Sequence, residues 1–431
     1  MNAPALSAPA SAARGGVSFS DLGFAAFLAL IVFAQLDAVG NRLFAMLPVT
    51  AYSAFYMLTA SLALCAWIGD RGTRLSGIAA PGVRLAAALL LWALVAWTLA
   101  RHGERGWEYM QAFAKAAGLL AMAAVLVDTP QRLRAAIWAM AAAGLVSALI
   151  VYGDTLTGTR LFSSSEAAAG AQYAGVARSA GGSDENPTTA AHMLLVGTAL
   201  LLGLFAALPR MRPLAGAALA LCLGAIGLMA ARSALVGLLP ALALFLFVVR
   251  RERLFPLILL GFALLLAAAI LLSPGLLDRV TALADWGKDP TLFRRTTYLR
   301  IGLDLFAQSP IWGIGPGNFP LYFVGDEYRY LPGRSPIERE LHNTYLDVAV
   351  ELGVVGLALF LALAGKALAD TRRAFAAGGE LAALGLALLL ALTALLVASF
   401  FMPNKDMRYL WLLLGLAFQC GRLARARRAA A

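Results

Sequence analysis

Twelve apolar runs dominate this chain, centred near residues 22–38, 50–69, 83–100, 110–127, 133–152, 187–208, 213–231, 233–249, 254–272, 342–365, 380–399 and 407–421. Crossing the hydrocarbon core of a bilayer takes about 20 consecutive apolar residues in a helix, and nearly every run has that length. Ala and Leu dominate the runs, and no alternating pattern of the barrel type is present, so the spans are helical. The balance of 61% hydrophobic against 14% charged residues in 431 agrees with an integral membrane protein and excludes an ordinary soluble enzyme. The expected fold is therefore all-α and polytopic, with about twelve transmembrane helices. The boundary between the seventh and eighth runs, GLMAARSALVG, holds no Pro and is read as a tight turn from the charge of Arg232 and the combined length.

A net charge of +11 would suit nucleic acid, but its distribution suits a membrane and no nucleic-acid partner is expected. With the N-terminus inside, the inner segments hold Arg14; Arg71, Arg74, Arg84; Arg132, Arg134; Arg210, Arg212; Arg250, Arg251, Arg253; Lys366, Arg372, Arg373; and Arg422, Arg425, Arg427, Arg428. The short outer loops hold only Arg42, Arg101, Arg105, Arg232, Lys405 and Arg408, which places both termini in the cytoplasm. Residues 1–21 lack a signal-peptide pattern and read as a disordered cytoplasmic tail, with a basic tail at 422–431. Between them lie nine spans over 22–272, a periplasmic region with short helices over 273–341, and three spans over 342–421. Cys65, Cys222 and Cys420 lie inside apolar runs and read as packing residues. Fixed-period repeats and inverted symmetry are absent, which weighs against a repeat-built transporter.

Two outer connections, 153–186 and 273–341, are long enough to be functional or disordered. The second contains TLFRRTTYLRIGLDLFAQSP, whose Leu292, Tyr298, Leu299, Leu303, Leu305 and Phe306 recur at helical spacing and predict an interfacial or periplasmic helix. Basic residues collect in these connections: Arg160 and Arg178, then Arg279, Lys288, Arg294, Arg295, Arg300, Arg329, Arg334 and Arg339. A solvated loop is one reading of them and best suits Arg329, Arg334 and Arg339; the sharper reading is an anion site, because guanidinium groups bind phosphates bidentately and stay charged. Arg232, set between two apolar runs, is a functional candidate by its position, with snorkelling as the competing reading. Lys115 reads as snorkelling or paired.

Of the three histidines, His102 sits in the polar cluster RHGERGWE and His192 reads as a packed core residue. His342, in SPIERELHNTYLDVAVELG, stands at the start of a span. The partial positive charge of a helix N-terminus keeps an imidazole neutral and able to accept a proton. On spacing alone, that reading and a simple helix-cap role stand level. GIGPGNF, at 313–319, lacks a P-loop lysine and reads as a sharp turn. No His, Cys and carboxylate set has metal-ligand spacing, so no metal and no cofactor is expected, and a transfer reaction would need a donor that arrives activated.

HNTYLDVAVELGVVGLALF resembles the signature of the O-antigen ligase and O-antigen polymerase superfamily, in which a His-Asn pair precedes a helix containing Glu-Leu-Gly. RSAGGSDENPT, ARSAL, RRTTY and SPIWGIGPGNF follow the same order, so the resemblance covers roughly residues 175 to 410. It implies a GT-C-type architecture that takes glycan from undecaprenyl pyrophosphate on the periplasmic face of the inner membrane and, in a ligase, passes it to a sugar hydroxyl of the lipid A core. Membrane lipids would surround it. By position, His342 looks like the catalytic histidine and Arg232 like one diphosphate-binding arginine. The second lies four residues before an aromatic, which favours Arg294 and keeps Arg295. Arg178 and Arg300 are weaker diphosphate candidates, while Asn343, Tyr345 and Asp406 are candidates for orienting the acceptor. The alternatives are an O-antigen polymerase or a protein O-oligosaccharyltransferase using the same donor, and a transporter or flippase for lipid-linked sugars.

Overall fold

The computed structural model describes residues 18–69, 80–162, 172–173, 176–272, 290–334 and 337–430. The expected tail up to residue 17 with its Arg14, the loop residues Arg71 and Arg74, and Arg279 and Lys288 lie outside the described residues. In chain order the helices are α1 (Phe19–Gln35), α2 (Asp37–Leu43), α3 (Ala51–Gly69), α4 (Pro81–Thr98), α5 (Gly103–Leu126), α6 (Pro130–Thr157), α7 (Pro187–Ala207), α8 (Arg212–Leu228), α9 (Arg232–Val249) and α10 (Phe255–Leu272). They continue with α11 (Pro290–Gln308), α12 (Phe319–Val324), α13 (Thr344–Ala376), α14 (Gly379–Ala398) and α15 (Arg408–Ala430). A two-stranded antiparallel hairpin, Gln172–Tyr173 with Val176–Ala177, interrupts the connection after α6.

Helices occupy all twelve apolar runs, and the turn expected before Arg232 separates α8 from α9. Among the described residues nine helices are long and apolar enough to cross a membrane, or ten if α1 and α2 form one broken span. α15 falls outside that set because Arg408 and the basic second half load it with charge. The first apolar run does not continue straight to residue 38: α1 stops at Gln35 and α2 leaves at 112°. The carboxylate of Asp37 sits at that corner, accepting the Ala38 and Asp184 amides and pairing with Arg408 at 2.9 Å. Apart from the short hairpin, the regular structure of the described residues is helical, and the chain is a polytopic membrane protein of the all-α class.

The centre of the bundle is the pair α7 and α14, with 83% of each apolar window buried, against 22% and 28% for the peripheral α3 and α4. α14 is apolar on every side, GELAALGLALLLALTALLVA, which suits a helix surrounded by protein. Small residues let the two backbones meet: a Cβ at Gly203 would lie 2.3 Å from the Ala387 Cα.

α13 is broken. Gly353 adopts φ 69°, ψ −174°, and a side chain there would lie 1.9 Å from the Ile311 carbonyl oxygen. A break within a membrane helix frees backbone groups that hydrocarbon cannot satisfy. Here the segment SPIWGIG fills the gap: Ile314 and Gly315 amides donate to the Val350 and Glu351 carbonyls at 2.9 and 3.0 Å, and the Val354 amide donates to the Pro310 carbonyl at 2.8 Å. The Trp92 indole donates to the Leu352 carbonyl at 2.7 Å. The expected sharp turn is thus also a clamp on the helix that follows His342.

The helix expected within 273–341 is α11. Its Tyr298, Ile301 and Leu305 join Phe319, Phe323, Leu341 and Val350 in a second small core packed on α13. Leu299 and Leu303 point outward.

Candidate active site

His342 stands immediately before α13, between buried Leu341 and the helix cap, with φ 56°. A non-glycine residue in this left-handed region is uncommon and costs about 1–3 kcal/mol, which the surrounding packing must hold. The cap is Asn343, whose side-chain oxygen accepts the Tyr345 and Leu346 amides at 3.0 and 3.1 Å. Capping therefore falls to Asn343, and His342 is turned away from that duty. Its ring packs at 5.3 Å from the Tyr298 ring of α11.

Desolvation first, and then the positive charges of Arg295, Arg339 and Arg294, push the His342 imidazole down to about 4. The ring is neutral at physiological pH. Arg294 and Arg295 both act on it from the start of α11, so the spacing argument for one over the other does not separate them. Arg295 is held by Phe401, donating to its carbonyl at 3.4 Å with the guanidinium 5.6 Å from the ring centre. Arg339, assigned to a solvated loop from its sequence context, is only half-exposed and joins this cationic group. Arg334, by contrast, serves its own loop by donating to the Phe323 carbonyl at 3.0 Å.

Arg232 is the first residue of α9, half-buried, and the turn before it contains the second left-handed non-glycine residue, Ala230 at φ 52°. Arg178 arrives from the connection before α7: its Nε donates to the Met229 carbonyl at 3.0 Å and a terminal nitrogen to the Thr188 hydroxyl at 3.3 Å. The structure thus sets Arg178 beside the turn that opens onto Arg232. His192 is fully buried, as a core histidine should be, with Nε2 2.8 Å from the Ser233 hydroxyl and Nδ1 3.0 Å from the Asn404 amide nitrogen.

The loop between α14 and α15 ties these pieces together. Ser399 accepts the Thr344 amide at 2.8 Å, the Thr344 hydroxyl donates to the Met402 carbonyl at 2.6 Å, and the Asn404 amide donates back to that hydroxyl at 2.7 Å. Lys405 is buried against Asp347, at 2.8 Å, and Glu351. Burial alone would lower its pKa, but the Asp347 and Glu351 carboxylates outweigh it and raise the value, so the ammonium stays charged. Asp347 and Glu351 are four apart and present their carboxylates on one face of α13. None of this Lys405 network was singled out from the sequence, where Lys405 counted only as an outer-loop charge.

Asp406 follows in the same loop, half-buried beside a small cavity lined by Tyr109, Pro316, Glu351 and Lys405. Burial raises its pKa. Glu340 is exposed, and the negative charges of Asp406 and Asp347 act with desolvation, the larger cause, to raise its pKa. The His342 imidazole, held neutral by its surroundings, is able to accept a proton.

Other candidates sit elsewhere. Arg300 is exposed on the far face of α11, lining a cleft with Asp304, Glu327 and Tyr330 rather than facing His342. The Tyr345 hydroxyl donates to the Leu396 carbonyl at 2.6 Å and its ring packs at a tilt against Phe400, so it anchors α13 to α14. Lys115 is exposed on α5, and His102 packs edge-on against Tyr322. Among the described residues no group of three or more His, Cys, Asp or Glu is arranged to hold a metal ion.

Residues 217–361 match the protein-family model described as O-antigen ligase. This stretch, about a third of the chain, is similar to that family. It contains Arg232, Arg294, Arg295, His342 and the broken α13 up to residue 361, while Arg178, His192, Asn404, Lys405 and Asp406 lie outside it. No curated protein matches the chain.

Proposed function

We propose that this protein is an O-antigen ligase that transfers O-antigen polysaccharide from undecaprenyl pyrophosphate to a sugar hydroxyl of the lipid A core. The observation that carries the reading is an imidazole held in a left-handed turn at the start of a membrane helix and kept neutral by burial and then by the charges of Arg295, Arg339 and Arg294. The Lys and Arg distribution supports an inner-membrane protein with both termini cytoplasmic and this site on the periplasmic face.

The acceptor hydroxyl attacks the anomeric carbon in line with the departing diphosphate. A new C–O bond forms, the bond from that carbon to the diphosphate oxygen breaks with inversion, and the acceptor proton passes to His342. Negative charge grows on undecaprenyl diphosphate, where Arg232, Arg294 and Arg295, with Arg178 behind them, stabilise it from fixed positions. Without donor, His342 is a weak base, first because burial disfavours the imidazolium and then because the charges of Arg295, Arg339 and Arg294 do. The diphosphate offsets that charge and raises the basicity of His342, so the base gains strength only when a donor is bound. Asp406, half-buried beside the small cavity, would hydrogen-bond an acceptor hydroxyl. The scheme needs no metal, because arginines take the role of the cation.

The first test is genetic. Deletion should leave bare lipid A core while polymerised O-antigen accumulates on its carrier. A core bearing a single repeat unit would instead identify a polymerase, and full-length capped lipopolysaccharide would refute both.

A further inference from the structure

Taking the ligase reading as given, we propose that His192 and Asn404 are positioning residues that fix Arg232 and His342 relative to one another. The two catalytic arms come from different parts of the bundle: Arg232 opens α9, and His342 precedes α13. Between them runs a continuous buried chain of hydrogen bonds. Ser233, next to Arg232, is 2.8 Å from His192 Nε2; His192 Nδ1 is 3.0 Å from the Asn404 side-chain nitrogen; and the Asn404 backbone amide donates at 2.7 Å to Thr344, two residues beyond His342.

Every member is enclosed. His192, Thr344 and Asn404 are at most 1% exposed and Ser233 is 6% exposed. The Asn404 side-chain nitrogen can only donate, so His192 Nδ1 accepts and Nε2 carries the proton given to the Ser233 hydroxyl. The same nitrogen also donates to Ser399, itself donating to the Leu395 carbonyl, which fixes the amide orientation. Both flanking turns carry left-handed non-glycine residues, Ala230 and His342. Strained turns persist only where neighbouring contacts over-determine them, and this chain of bonds joins the two.

The links act in series, so cutting any one should release the same constraint. Donor binding draws on several arginines and survives, whereas the alignment of leaving group and base does not. Ser233→Ala removes the link to His192, Thr344→Val removes the link to the Asn404 amide together with the hydroxyl's bond to the Met402 carbonyl, and Asn404→Ala removes the links to His192 and Ser399, the first two at small change in volume. Misplacement by about 1 Å can cost about 100-fold in rate. We expect each single variant to lower kcat about 10- to 100-fold on that basis, with KM for the lipid-linked donor within about twofold. The double variant Ser233→Ala/Thr344→Val should be no slower than the slower single variant.

The measurement is turnover of purified full-length protein in proteoliposomes with lipid-linked glycan donor and lipid A core acceptor, with thermal unfolding followed in parallel. Losses that multiply in the double variant, or follow unfolding temperature with no kcat-specific loss, would refute the tether and reduce these residues to packing. Wild-type turnover with unchanged kcat in Ser233→Ala and Thr344→Val would also refute it while leaving the ligase reading intact. Absence of transfer by the wild-type protein would overturn the ligase reading itself.

Discussion

Replacing Asn343 separates two roles that its position leaves together: capping α13 and contacting substrate. Its side-chain oxygen accepts two amides, at 3.0 and 3.1 Å, that would otherwise be orphaned at the helix start. Loss of such a cap costs about 1 kcal/mol and up to about 2. The adjacent His342 turn, at φ 56°, holds strain of about 1–3 kcal/mol. The two magnitudes are comparable, so uncapping is enough to let the turn relax and carry the imidazole off its arginines and Tyr298. Asn343→Ala should therefore lower turnover about 10- to 100-fold, the loss expected for misplacing a catalytic group by about 1 Å. Global stability should change by no more than the cap itself. Asn343→Ser keeps an equivalent cap and should stay within about threefold of wild type, since Ser and Asn cap almost equally well. The assay is glycan transfer in proteoliposomes, with thermal unfolding as the control. Asn343→Ser as slow as Asn343→Ala would mean that the amide touches substrate; full activity of Asn343→Ala would mean that the turn does not depend on the cap.

Gly353→Ala places a Cβ 1.9 Å from the Ile311 oxygen at a backbone φ of 69°, so the kink cannot survive unchanged. Destabilisation of about 3 kcal/mol or more is expected, read as a lower unfolding temperature and loss of a monodisperse detergent-purified species. Lys405→Met leaves Asp347 and Glu351 buried without their counter-ion and should cost about 3–5 kcal/mol. The triple variant with Asp347→Asn and Glu351→Gln should regain stability in the same unfolding assay; failure to regain it would deny that charge pairing is what the lysine supplies. The pH profile follows from His342, which acts as a base only when unprotonated. With its value pushed down to about 4 in the free protein, kcat/KM should hold as pH falls and decline only near that value. Arg295→Gln removes one of the cations holding it down, so the acid limb should move to higher pH; an unmoved limb would show that His342 is not the titrating base.

The twelve helices were legible because a membrane allows little else: apolar runs of spanning length must be helical, and charge or Pro marks where they end. The turn before Arg232 and the helix bearing Arg294 and Arg295 followed from the same patterns. His342 drew attention by its place at a span boundary, yet spacing could not separate it from a cap; the Asn343 side chain and the positive φ of His342 do. The bend at Leu36 escaped because its cause, Asp37 with Arg408, spans more than 370 residues. His192 and Asn404 are likewise 212 residues apart, and nothing local in either segment announces their contact. Lys405 read as an ordinary loop cation because its carboxylate partners lie on another helix. Arg339 looked like a solvated loop charge for the same reason. What stayed hidden was the pairing of distant polar groups, which apolar periodicity does not encode.

The central claim is that His342 takes the acceptor proton while arginines hold the departing diphosphate. Its most direct measurement is transfer from a lipid-linked glycan donor to lipid A core by purified His342→Ala and wild-type protein in chelator-treated proteoliposomes, with donor binding measured on both. The account predicts robust wild-type transfer, unchanged donor binding by His342→Ala, and transfer reduced by at least about 100-fold, the scale of a lost general base. Wild-type-like transfer by His342→Ala would contradict it.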